Sequence, residues 1–399
     1  MKKLMLLGGT RFMLPAIDAA HRLGAHVITC DYLPDNYAHR FSDQYCNIST
    51  IDSEAVLKAA MELQIDGILS YASDAGAVTA AYVARQMGLP GNPVESVSIL
   101  QNKGRFRAWL KEHGYQVPRA KDYDCAEDAV ADRNNWEYPV IVKPTDSAGS
   151  KGVTRVEDPR EMETAARKAM AYSIEGRLII EQFIEKEGYS TDSDSFSLNS
   201  ELVFCSFNDQ MFDSGAENPY APAGFMWPCT MPAKAQNTLQ GEIARLIREL
   251  DVGTAIYNIE TRLGKDQKPY IMELSPRAGG NRLAEMLRYA TGQDIILSTV
   301  QSALGLAIDP VPVQPVYDGF WGEAILHSRS DGIYDGITLS EEVKQCAVEV
   351  DIHVEKGDRV HSFSSGRDEI GTLVLKASDR EQLEGILKDI NRHVQIRVQ

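Results

Sequence analysis

VIVKPTDSAGSKGVTRV, residues 140–156, runs from an apolar stretch carrying Lys143 through a loop of small residues into a second strand-like stretch. Small residues let backbone N–H groups come close to phosphate oxygens. Ser147, Ser150 and Lys151 add hydroxyl and ammonium donors, while Gly149 and Gly152 remove side-chain bulk. The loop between Asp146 and Gly152 therefore suits a polyphosphate, although taken alone such a Gly/Ser loop is more often a mobile turn. The G-x-x-x-x-G-K-[ST] spacing that leads into a helix is missing, which excludes a Walker A loop.

Downstream, TAIYNIETRL and PYIMELSPR read as antiparallel strands joined by the turn RLGKDQKP. Each carries one carboxylate, Glu260 and Glu273. In the right register both fall on one face and offer oxygen ligands for Mg²⁺; out of register they are ordinary surface glutamates. Arg277 follows directly, where it can fork onto a phosphoryl group or a substrate carboxylate, and Gly279 and Gly280 leave room beside it. Lysines, acidic metal ligands and one arginine suffice for phosphoryl transfer, which needs positioning and charge neutralisation more than covalent chemistry.

Upstream, strand and helix alternate. Residues 2–8, HVITCD and DGILSY read as strands, and LPAIDAAHRLG, AVLKAAMELQ and AVTAAYVARQMG as helices, which predicts a parallel doubly wound sheet over residues 1–97. Gly8, Gly9 and Thr10 after the first strand and Asp31 after the second invite a dinucleotide-binding reading. The G-x-G-x-x-G spacing is absent, and Phe12 and Met13 stand where a pyrophosphate needs bare backbone, so a tight strand-to-helix turn is the better reading.

Several motifs in fixed order now come together: Lys103 in QNKGRFRAWLKEHGYQVP, Lys143 in VIVKP, the SAGSKG loop, Glu181 in IIEQFI, and Glu260, Glu273 and Arg277 in YNIETR and IMELSPRAGG. This series resembles the ATP-grasp superfamily over nearly the whole chain. The resemblance implies that Lys103 and Lys143 contact ATP phosphates, with Lys143 also near the adenine. It implies that Ser147, Gly149, Ser150, Lys151 and Gly152 cover the phosphates, with Lys143, Lys151 and Arg277 as catalytic groups. Glu181 and the backbone of Gln182, Phe183 and Ile184 would form the adenine hinge, and Met272 would pack under the base. Glu260 and Glu273 would hold Mg²⁺, for which Mn²⁺ can substitute. Arg277, Gly279 and Gly280 would face the substrate. Ser275 stands where many relatives carry Asn, and Gly188 where an acidic ribose contact is frequent, a role that Glu187 would take.

DYLPDNYAHRFSD (31–43) resembles the pre-ATP-grasp domain of the branch related to carbamoyl phosphate synthase large subunits, in a single copy. VEKGDRVHSFSSGRDEIGTLVL (354–375) resembles the small C-terminal domain of L-amino-acid ligases and biotin-carboxylase-like relatives. The fold class expected is mixed α/β and α+β: a Rossmann-like pre-ATP-grasp domain at 1–97, an ATP-grasp domain at 98–308 with a lid at about 120–185, and a small C-terminal α+β domain at 309–399. That last stretch reads as short strands and one terminal helix. Residues 207–235, rich in Asn, Pro and Gly, read as a long loop that helps shape the substrate pocket with Asp213, Glu217, Tyr220, Phe225 and Trp227.

The function expected is ATP-dependent joining of a carboxylate and an amine through an acyl phosphate, with Glu273→Ala or Arg277→Ala abolishing ADP release while the fold stays intact. The alternatives are a carboxyphosphate-forming or purine-pathway enzyme, a non-catalytic nucleotide-binding regulator, and a nicotinamide-dependent oxidoreductase. Small-molecule substrates are the expected partners, with a homodimer among the expected assemblies. The net charge of −16 disfavours nucleic acid and anionic membranes. No apolar run approaches the roughly 18 residues of a membrane span, and MKKLMLLGGT is too short in apolar residues for a signal peptide. Six scattered cysteines without metal-ligand spacing read as reduced thiols in a cytoplasm.

Overall fold

The computed structural model describes residues 1–147, 149 and 151–399. Strands β1 (Lys3–Leu7), β2 (His26–Cys30), β3 (Gln44–Cys46) and β4 (Gly67–Leu69) form a parallel sheet in the order β3-β2-β1-β4. Leu4 to Leu7 are all buried, as a parallel strand covered on both faces requires. Leu4 and Leu6 enter one core and Met5 and Leu7 another, the latter shared with Val56 and Ala60 and with Val83 and Ala84 of two covering helices. Gly8 ends β1 at φ +122, and a side chain there would meet Met13 at 2.5 Å, so the turn is closed by packing against Met13.

Strands β5 (Ala120–Tyr123), β6 (Val140–Pro144), β7 (Thr154–Val156) and β8 (Leu178–Gln182) form an antiparallel sheet, order β5-β8-β6-β7. The helices Ala126–Ala131 and Met162–Tyr172 pack on it through Ala129, Met162, Ala166 and Ala169. Strands β9 (Thr191–Leu198) and β10 (Glu201–Phe204) belong to the next sheet, β11 (Asp209–Phe212) and β12 (Pro222–Trp227) leave it, and β13 (Ala255–Leu263) and β14 (Pro269–Ser275) complete it in the order β10-β9-β13-β14. The helix Ala233–Glu249 buries Leu239, Ile243, Leu246 and Ile247 behind it.

The stretch 207–235 is not a long loop. Strands β11 and β12 pair with each other, and β12 pairs with β15 (Phe320–His327). The remaining strands are β16 (Gly332–Leu339), β17 (Ala347–Ile352), β18 (Arg359–Val360), β19 (Glu369–Ala377) and β20 (Val394–Val398). The resulting five-stranded sheet runs β11-β12-β15-β19-β17, so the C-terminal sheet borrows two strands from residues 209–227. Phe225 and Trp227 sit in its core at 0% exposure, and Asp213 is held by His327 and Arg329. Glycine and proline at 222–224 hid a strand whose partner lies about a hundred residues away. The tail also differs from the expectation of one helix: Glu341–Cys346, Arg380–Lys388 and Ile390–His393 are all helical. All six cysteines are free. Among the described residues no helix is long and apolar enough to cross a membrane.

Candidate active site

Strands β13 and β14 pair with Glu260 directly opposite Glu273, and β9 places Asp192 opposite Glu260 on the other side. Directly opposed residues share a face of the sheet. Asp192, Glu260 and Glu273 therefore form one row of carboxylates, and Asp194, Asn258 and Ser275 the next row. A β-bulge follows this row, leaving Met272 without a cross-strand partner; bulges of this kind re-aim side chains beside functional sites.

Asn258 Nδ2 donates to both Asp192 (2.7 Å) and Asp194 (3.2 Å). Burial, with Glu260 adding to it, pushes Asp192 up to about 7, and burial pushes Asp194 up to about 7. Asp194 Oδ2 is buried without a hydrogen-bond partner. These two aspartates were missed in the sequence; the alternating acids of STDSDS were visible, but not the strand they would adjoin. Among the described residues, Lys103 Nζ, 3.7 Å from Glu273, and Arg262, 3.4 Å from Glu260, offset the row through ion pairs. Among the described residues no group of three acidic, His or Cys side chains is arranged to hold a metal on its own. Mg²⁺ is usually held by one or two carboxylates and completed by phosphate oxygens and water. Ser275 Oγ lies 3.4 Å from Glu273, whose carboxylate it helps orient.

Lys103 is the first residue of the helix Lys103–Glu112, and its Nζ donates to the carbonyl of Ser147 at 2.8 Å, at the start of the glycine loop. Lys143 on β6 donates to Glu181 on β8 at 2.6 Å. Glu181, 2% exposed, also meets Arg107 Nε at 2.8 Å, and Arg107 Nη2 donates to the carbonyl of Met272 at 2.6 Å. Burial alone would raise the Glu181 carboxyl, but Arg107 and Lys143 outweigh it and hold it at about 2. Its side chain is thus a counter-ion for two cations rather than a bare hinge acceptor. Burial also lowers Lys143 below the usual lysine value. Arg107 had no signal in the sequence beyond its place in RFRAWLKE.

Next along the hinge, the Gln182 amide donates to Arg119 and the Phe183 amide to Pro139, while Ile184 has no amide acceptor among the described residues. Glu187 is exposed, with its amide bonded to Leu263. In the loop, Gly149 adopts φ +67 in open space and Gly152 φ +72, where a side chain would meet Tyr172 at 2.9 Å. Lys151 is exposed, and desolvation with the nearby Arg367 lowers its pKa. Ser150 lies outside the described residues.

Arg277 is gripped by Asp74, from the turn after β4, through Nε (2.8 Å) and Nη2 (2.7 Å), and Nη1 donates to the Ala278 carbonyl at 2.9 Å. Burial works against its charge, but Asp74, Glu273 and Asp192 raise its pKa above the ordinary value. The Ala278 amide donates to the Tyr71 carbonyl, which docks the first sheet onto this loop. Gly279 does not leave substrate room: a side chain there would meet Leu283 at 2.5 Å and Asn258 at 2.7 Å, and its amide donates to Asp194 at 2.9 Å. Gly280 has open space.

Residues 100–281 match the family described as ATP-grasp domain. The chain carries an ATP-grasp domain. It contains Lys103, Lys143, Glu181, Glu260, Glu273 and Arg277, whereas Asp74 comes from outside it. Residues 324–399 match L-amino acid ligase C-terminal domain 2. The chain is 25% identical over 196 residues to the carbamoyl phosphate synthase large chain of Thermotoga sp. (strain RQ2), covering 49% of this chain and 18% of that protein. The chain thus spans under a fifth of that relative's length. It is 26% identical over 343 residues to the formate-dependent phosphoribosylglycinamide formyltransferase of Parasynechococcus marenigrum (strain WH8102), covering 84% of this chain and 85% of that protein. The crystal structure of an L-amino acid ligase from Bacillus licheniformis shares its fold, with a TM-score of 0.82 at 21% identity and coverage of 100% and 99%.

Proposed function

We propose that this protein is an Mg-ATP-dependent ligase joining a carboxylate, most simply an amino acid, to an amine. The observation that carries the reading is the register of Glu260 on Glu273, with Lys103 beside them and Arg277 two residues past the end of β14. Glu260 and Glu273 are the residues that would hold Mg²⁺, or Mn²⁺ in its place. When bound, such an ion neutralises phosphate charge and polarises the phosphoryl group. Lys103 and Lys143 bind phosphate oxygens, the 147–152 loop covers them, and Gln182 to Ile184 with Met272 hold the base, with Glu187 at the ribose.

In this reading the substrate carboxylate oxygen attacks the γ-phosphorus and ADP leaves. The amine then attacks the acyl carbon, gives up a proton, and inorganic phosphate departs. Arg277 spends three of the five N–H groups of a guanidinium on Asp74 and Ala278, which leaves two for the charge that develops. The β5–β8 sheet acts as the lid of an ATP-grasp domain at 98–308 and excludes water from the acyl phosphate. A Rossmann-like unit at 1–97 and a C-terminal unit at 309–399, completed by β11 and β12, flank it. A cytoplasmic homodimer is the proposed setting.

The test is ADP release from Mg-ATP with amino acids supplied singly and in pairs. ADP formation that requires an amino acid, and that disappears in Glu273→Ala, supports the reading. Wild-type turnover in that variant contradicts it. The alignment along 84% of the chain with a purine-pathway formyltransferase favours a second reading, a formate-, bicarbonate- or purine-directed enzyme. ADP formation on formate or bicarbonate without any amino acid selects that one.

A further inference from the structure

A cleft of about 300 Å³ lies between residues 11–18, the helix Leu283–Thr291 and strands β17 and β19. That is the lower end of the volume of small-molecule sites. None of Lys103, Lys143, Asp74 or Arg277 lines it. Its walls carry both signs of charge, and most of these charges are already matched. Arg282 meets Glu285 at 3.2 Å and Glu349 at 2.7 Å, and Arg11 meets Asp351 at 2.7 Å.

Besides Asp18, which is exposed at the lip, two groups are left over. Glu369 is 7% exposed, with one oxygen 3.2 Å from His353 Nδ1, while its Oε2 is buried and has no hydrogen-bond partner. A buried carboxylate oxygen without a donor is costly, and native structures rarely leave one so. On another wall, Arg288 has no hydrogen bond from its guanidinium among the described residues. Its nearest acid, Asp294 at 3.6 Å, is engaged at 3.0 Å by Arg22. Glu323, fully buried close by, does not line the cleft, and burial raises its carboxyl above the usual value. A buried carboxylate oxygen without a donor and a loosely paired, partly exposed guanidinium in one small cleft are complementary to a zwitterion.

We infer that this cleft binds a free α-amino acid, its ammonium on Glu369 and its carboxylate on Arg288, at a site separate from the nucleotide site. Occupancy reaches the catalytic loop through one short path. Glu285 and Arg288 belong to the helix that starts at Leu283, directly after Asn281 and Arg282, both in the left-handed region at φ +54 and +57, and after Arg277 to Gly280. A ligand tying this helix to β19 restrains the loop that carries Arg277.

The experiment is calorimetric titration of the whole protein, without ATP, with single L-amino acids, their amides and their N-acetyl forms. At least one free amino acid should bind, and blocking either its amino or its carboxyl end should weaken binding about tenfold or more, as loss of a charged hydrogen bond does. Glu369→Gln and Arg288→Gln should weaken binding similarly while ADP release at saturating substrates is kept. Asp18→Trp, at the exposed lip, should block the cleft without changing either Glu369 or Arg288. Equal binding by wild type and all three variants, indifference to blocked ends, or no binding by any amino acid overturns the inference. Binding is read without turnover, so a chain that forms no ADP at all still answers this question separately.

Discussion

The guanidinium of Arg277 holds both oxygens of Asp74, at 2.8 and 2.7 Å, across 203 residues of sequence. The Arg277 and Asp74 side chains are 12% and 21% exposed, so each neutralises a charge that would otherwise be left in a poorly solvated place. Breaking such a pair from one side costs more than the pair itself contributes. Asp74→Ala is expected to lower stability by on the order of 3 kcal/mol, measured by urea unfolding, and to lower turnover by releasing Arg277. Unchanged stability and turnover would show that the contact is incidental. By the same logic Arg277→Ala strands Asp74, so the expectation of an intact fold in that variant gives way to one of a measurably weakened fold.

Glu181 sits between Arg107 and Lys143, and its removal should cost about 3 kcal/mol or more, because two buried cations lose their counter-ion. The pH dependence has a definite sign. A carboxyl depressed in the folded state contributes stability above its unfolded value and loses that contribution as pH falls. The wild type should therefore lose this stability between pH 4.5 and about 2. Glu181→Gln should show a shallower acid limb over that window in denaturation curves taken at successive pH values, and parallel limbs would argue against the pairing.

The row Asp192, Glu260 and Glu273 concentrates negative charge that a divalent cation would relieve. Addition of Mg²⁺ with a non-hydrolysable ATP analogue should raise the melting temperature of the wild type. Asp192→Asn and Glu260→Gln should melt higher than wild type without the metal and gain less from it. An equal Mg²⁺ response in all three proteins would remove the row from the metal site.

Gly279 and Gly280 are adjacent but not equivalent. Gly279→Ala would force a contact of 2.5 Å with Leu283 and should cost about 1–3 kcal/mol. Gly280→Ala meets nothing within 4 Å and should stay within about 0.5 kcal/mol of wild type. Thermal melts of the two variants decide this directly, and equal melting temperatures would contradict the packing described.

Much of the site was legible because its residues recur in local patterns. Lys143 and the glycine loop lie on one strand-turn-strand unit, and Glu260, Glu273 and Arg277 on one hairpin with its exit, where period-two alternation assigns faces. What stayed hidden involved pairing between distant segments. Asp192 and Asp194 were an unremarkable alternation until β9 met β13. Arg107 was one cation among several in a helix until Glu181 faced it. The reading of 207–235 as a loop failed because Pro222 and Gly224 weaken the strand signal that β15 later overrides by pairing with β12.

The amino-acid sequence by itself determined which chemical groups are present, their order, and the strands and helices that carry them, because side-chain periodicity and backbone preference act over a few neighbouring residues. The tertiary structure alone decided which of those groups stand together: the carboxylate row, the Arg277–Asp74 clasp, and the cleft with Glu369 and Arg288 on its walls. Alternation tells a side chain which face of its sheet to take, but strand register and packing between distant segments choose the neighbour it finds there.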